Sequence, residues 1–105
     1  MDLWQNTSRD EPLGTRWSAF VGSWFESPGQ AQVLLRGDLD DAACERLRDQ
    51  LATLLDTGAR FITVDAGGVT GCGPGVVELL AATQRRLRRR RGLLTLRGLH
   101  PCVLP

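Results

Sequence analysis

Gln32-Val33-Leu34-Leu35-Arg36-Gly37-Asp38-Leu39-Asp40-Asp41 is the stretch whose reading decides the fold. It opens as a short apolar run closed by Gly37, the length and composition of a central strand buried on both faces. Either Asp40 or Asp41 can then accept the free N–H groups of a new helix. Ala43, Leu47, Leu51, Leu54 and Leu55 follow at helical spacing, so residues 41 to 56 read as an amphipathic helix. Thr57-Gly58 ends it, glycine being the residue that most readily takes the left-handed conformation past a helix. A strand that feeds straight into such a helix is the first half of a β-α-β unit.

Further along the chain the pattern repeats. Phe61-Ile62-Thr63-Val64-Asp65 reads as a second such strand, with Ala66-Gly67-Gly68 as a flexible segment after it. Pro74 suits the first turn of a helix, and Val76, Leu79, Leu80, Thr83 and Leu87 carry the 3.6-residue period towards Gly92. Leu93 to Leu96 forms a last strand, after which Arg97 to Pro101 turns away. On the other side of the opening stretch, Trp17 to Phe25 reads as an aromatic-rich edge strand closed by Ser27-Pro28-Gly29, with Gly22 marking a bulge. Residues 1–16 have no period and are expected to be a mobile tail, ahead of a single domain over residues 17–105.

The order β-β-α-β-α-β predicts an α/β fold: a mostly parallel four-stranded sheet. Right-handed crossovers between neighbouring strands place both helices on one face. The other face is then left to the tryptophan-bearing N-terminal segment or to a partner.

A chain of 105 residues supports one such core and no more. No stretch approaches the roughly 20 apolar residues of a membrane span. The first twelve residues carry acids and amides instead of the basic start and apolar run of a secretion signal, so a cytoplasmic location is expected. Cys44, Cys72 and Cys102 lack CxxC spacing and read as thiols. All thirteen basic residues are arginine, and those after residue 84 have no acid among them.

Val33-Leu34-Leu35-Arg36-Gly37-Asp38-Leu39-Asp40, then Ile62-Thr63-Val64-Asp65, then Gly73-Pro74-Gly75 ahead of a helix, then Leu94-Thr95-Leu96-Arg97-Gly98-Leu99 resemble a STAS domain, the sulfate transporter and anti-sigma factor antagonist fold. The resemblance covers about residues 30–101. It implies a domain that binds a protein partner, an anti-sigma factor or a related kinase-like protein, through Asp38, Asp40, Cys72, Gly73, Pro74, Gly75 and Val76. In bacterial members a serine or threonine within Asp-Ser-x-Gly is phosphorylated by that partner. Here one register puts Gly73 and Pro74 at the aspartate and serine, and the other puts Cys72 and Gly73 there. Neither supplies a hydroxyl, so no phosphorylation site is expected. The family also continues past the last strand into a further helix, which this sequence has little length to form. The apolar area thereby exposed favours either self-association into homo-oligomers or marginal stability.

No catalytic constellation assembles from these residues. The loop Gly71-Cys72-Gly73-Pro74-Gly75 lacks a Gly-Lys-Ser continuation and a GxGxxG pattern, which favours a docking loop or plain turn over a nucleotide site. Cys72 has no histidine or second cysteine close in sequence, Asp40 reads as a cap instead of an acid paired with Asp65, and His100 has no spaced partners for a metal. No enzyme activity, metal or cofactor is therefore expected. The arginine run offers Arg85, Arg86, Arg88 and Arg89 for anion binding, yet no base-reading motif accompanies it, and cations are also stabilised at a helix C-terminus. The alternatives to partner docking are a small nucleotide- or nucleic-acid-binding module using the run from Arg85 to Arg91, or a scaffold subunit of a larger assembly.

Overall fold

A computed structural model describes residues 19–98. Strand β1 (Ala19–Ser27) and strand β2 (Gln30–Leu39) form a hairpin. Helix α1 (Asp41–Asp56), strand β3 (Phe61–Cys72), helix α2 (Pro74–Arg89) and strand β4 (Leu93–Arg97) complete the chain order. The sheet order is β1-β2-β3-β4, with β1 antiparallel to β2 and the other two pairs parallel. It is thus the expected four-stranded α/β fold. The tail expected over residues 1–16, together with Trp17, His100, Cys102 and the question of a C-terminal helix, lies outside the described residues.

The core is a single layer. Ala19 and Val21 of β1, Ala31, Val33 and Leu35 of β2, Ile62 and Val64 of β3 and Leu94 of β4 alternate along their strands onto one face. Ala43, Leu47, Leu51, Leu54 and Leu55 of α1 and Val76, Leu80 and Leu87 of α2 close over them. Thr83 is the polar residue in this layer, and its hydroxyl donates to the Leu79 carbonyl at 2.9 Å, so its burial leaves nothing unpaired.

Among the described residues no helix lies on the opposite face, which corrects the expectation that β2 is buried on both sides: Gln32 and Leu34 are half-buried there and Arg36 is exposed. Phe20 (49% exposed) and Trp24 (47%) lie on the same face, the one expected for the aromatic N-terminal segment. Phe20 folds its ring over Gly22, where a Cβ would meet ring atoms at 2.9 Å, so Gly22 provides room for an aromatic. The β1 irregularity falls between Phe25 and Ser27, not at Gly22.

A second correction concerns Ala66-Gly67-Gly68, which is strand and not a flexible segment. β3 runs through it to Cys72, with register shifts opposite Leu34/Arg36 and Gly37/Asp38. The Asp65 carboxylate accepts from the Gly67 amide at 3.0 Å and holds this irregular stretch in place. Gly98 then crosses so near that a Cβ on it would lie 2.5 Å from the Gly67 Cα.

Helix side chains cover part of each sheet edge. On β1, Arg46 and Gln50 of α1 donate to the carbonyls of Ala19 (3.2 Å) and Val21 (3.0 Å). On β4, the Gln84 carboxamide acts as a missing strand, accepting from the Leu94 amide at 3.0 Å and donating to the Leu94 carbonyl at 3.3 Å. Unpaired edge groups are templates for aggregation, and these contacts occupy some of them. Gln84→Ala removes two part-buried hydrogen bonds and should cost about 1–3 kcal/mol in urea unfolding, with more aggregation on refolding. An unchanged unfolding midpoint would show that the amide does not hold the edge.

Candidate docking site

The site lies where β2 and β3 end and both helices begin. Register pairs Asp38 with Gly71 and Leu39 with Cys72. The Gly73 amide donates to the Leu39 carbonyl at 3.4 Å, tying the β3–α2 elbow to the end of β2. The Asp38 carboxylate lies close over Gly71, where a Cβ would sit 3.2 Å from its Oδ1. Across the helices, a Cβ at Gly75 would touch the Cys44 sulfur at 3.6 Å, so the start of α2 lies against the first turns of α1.

The two helix starts are built differently. Of the two aspartates that could cap α1, Asp40 does so: its Oδ1 accepts from the Ala43 amide at 2.9 Å, and Asp41 stands in the first turn. Helix α2 starts at Gly73 with Pro74 following, without a side-chain cap and without an acid in its first turn. Asp40, Pro74 and Gly75 are exposed, and nothing lies within 4 Å of a Cβ placed on Gly73.

Of the seven residues expected at this surface, Asp38, Asp40, Cys72, Gly73, Pro74 and Gly75 come together at it. Val76 does not: at 1% exposure it is a core residue, because the helical period that makes it apolar also turns it inwards. Its neighbour Val77, 40% exposed, faces outward on the side of β4. Sequence reading also missed Cys44, whose approach to α2 depends on a tertiary contact. Cys44 and Cys72 are free thiols, half-buried against the core.

The arginine run lies towards the other end of α2. Arg85, Arg86, Arg88 and Arg89 are exposed as expected, but Arg90 is structural: its Nη1 donates to the carbonyls of Leu55 (2.9 Å) and Ala59 (3.2 Å), satisfying the end of α1. The described residues contain no group of three or more His, Cys, Asp or Glu able to hold a metal, and no helix long and apolar enough to cross a membrane.

A family profile described as "Mlab, STAS domain" matches residues 25–104. Among curated proteins none matches the chain in sequence. Among solved structures, the chain is similar to the anti-sigma factor antagonist SpoIIAA in its unphosphorylated form, with a TM-score of 0.72 and 19% identity, over 78% of this chain and 76% of that one. The phosphorylated form of the Bacillus cell fate determinant SpoIIAA gives 0.69 and 20%, over 78% and 75%. A crystal structure of Mglu gives 0.61 and 21%, covering 81% of this chain and 20% of the longer one. These likenesses below a quarter identity speak to the fold.

Asp40→Ala should lower stability by about 0.5–2 kcal/mol, read as a shifted urea midpoint, because it removes the α1 cap. Asp40→Asn, which keeps an acceptor, should recover most of the loss.

Proposed function

The chain belongs to the STAS domain family, and from that membership together with the exposed elbow we propose that it is a non-enzymatic docking module of the anti-sigma factor antagonist kind. It engages an anti-sigma factor or related kinase-like protein in a bacterial cytoplasm and so acts on transcription. The surface is formed by Asp38, Asp40, Cys72, Gly73, Pro74 and Gly75. The observation that carries this reading is the elbow itself: Pro74 and Gly75 are exposed, and Gly73 opens onto free space.

Regulation by phosphate is absent in this proposal. A phosphoryl group at a helix start adds close to two negative charges and interacts with the N–H groups there. In this chain the cap is Gly73 and the next residue Pro74, so neither position has an oxygen to receive the group. Docking is then governed by the concentrations and affinities of the partners alone.

Gly73→Arg tests the surface with little risk to the fold, since the new side chain projects into open space. Affinity for the partner captured by the native protein should fall by about tenfold or more, roughly 1.4 kcal/mol, while the thermal midpoint stays unchanged. Unaltered affinity would place docking elsewhere. Gly73→Ser and Pro74→Ser should not take up radiolabel from an anti-sigma kinase, because the aspartate of the family motif is missing as well. Label transfer to either variant would overturn the unswitched reading.

A further inference from the structure

An apolar groove of about 260 Å³ runs between α2 and β4, lined by Val77, Leu80, Ala81, Gln84, Leu94 and Leu96. Val77, Ala81, Gln84, Arg85 and Arg88 follow one another at i, i+4, i+7, i+8 and i+11, so they form one stripe along that side of α2. Arg85 and Arg88 are exposed. The ion pair recorded among the described residues is Arg48 with Glu45, so neither arginine is matched by an acid of this chain there. An apolar floor beside uncompensated guanidinium groups calls for a ligand with one apolar face and carboxylates beside it.

The edge of β4 restricts the backbone that ligand can bring. Gln84 occupies both the N–H and the C=O of Leu94, so an added strand would have to displace it. A helix satisfies its own backbone and presents only side chains. From Val77 to Arg88 the groove side of α2 extends about 16 Å, the length of about three helical turns. Residues 99–105 of this chain fit poorly, as they hold Pro101 and Pro105 and no acidic side chain.

We propose that the α2–β4 groove is a second docking surface that takes an acidic amphipathic helix of a partner protein, its aliphatic side chains against Val77, Ala81 and Leu94 and its carboxylates on Arg85 and Arg88. The surface is separate from the elbow and does not depend on what binds there.

The test uses the full chain and a labelled helical peptide of about 14 residues, leucine on one face and glutamate on the other, with a lysine counterpart, followed by fluorescence anisotropy. The glutamate peptide binds, and the lysine peptide binds at least about tenfold more weakly. Arg85→Glu with Arg88→Glu reverses that preference, and the milder Arg85→Gln with Arg88→Gln weakens the glutamate peptide severalfold. Ala81→Trp, which fills the groove, abolishes binding without lowering the thermal midpoint, whereas Gly73→Arg leaves it unchanged. Failure of the glutamate peptide to bind the full chain overturns the proposal, including the case in which residues 99–105 hold the groove. Native-like binding by Ala81→Trp, with displacement by duplex DNA, also overturns it and assigns the arginines to a general polyanion surface.

Discussion

Burial on only one face of the sheet is the constraint from which the other features follow. With both crossovers on the same side, every fully buried apolar side chain lies between that face and the two helices. Among the described residues, a core this thin leaves two strand edges and one sheet face without backbone cover. The edges are partly covered by long polar side chains of the helices whose ends reach strand backbone groups: Arg46 and Gln50 at β1, Gln84 at β4. The return from α2 into β4 is equally tight. Gly92 lies so close to the Arg60 carbonyl that no Cβ fits between them, and the same carbonyl accepts from the Leu93 amide at 2.9 Å.

The same one-sidedness organises charge. Two parallel crossovers point both helices the same way, so both helix starts meet at one end of the molecule and both helix ends at the other. Carboxylates of Asp38, Asp40 and Asp41 gather where the starts are, and Arg86, Arg88 and Arg89 stand in the last turn of α2. Each sign faces the helix end that stabilises it. Arg90 is used for more than its charge, since it binds the carbonyls where α1 stops. The remaining arginines exceed what one helix end requires, which leaves them available to a partner.

Local pattern carried most of the fold. The α1 limits, the start of α2 at Pro74 and the order of elements were legible because apolar spacing, an aspartate cap and an N1 proline are local signals. Errors arose where the deciding partner is distant in sequence. Gly67 and Gly68 look like a loop, yet they are strand because Arg36 and Gly98 pack against them. Phe20 and Trp24 lie on the sheet face away from the helices, the face left to the N-terminal aromatic segment by the element order. The elbow was legible as a glycine-rich turn after a strand. That Val76 turns inwards and Val77 outwards follows from the phase of α2, which the leucines at positions 80 and 87 already fix. The groove beside β4 was not legible, because it exists only once Leu94 and Leu96 lie alongside α2.

Gly73 also separates what the fold demands from what function demands. Its backbone, at φ −87° and ψ 172°, is ordinary extended geometry open to any residue, and a side chain there would meet nothing within 4 Å. Gly98, at φ +68° with Gly67 pressed against it, is by contrast a glycine the structure requires. Serine or threonine at position 73 would cost the fold nothing and would cap α2, which lacks a side-chain cap. The missing hydroxyl is therefore not a consequence of packing. In the docking role proposed for the elbow, it removes a phosphoryl acceptor while leaving the shape of the turn intact, and the two properties are separable because they reside in different atoms of the same turn.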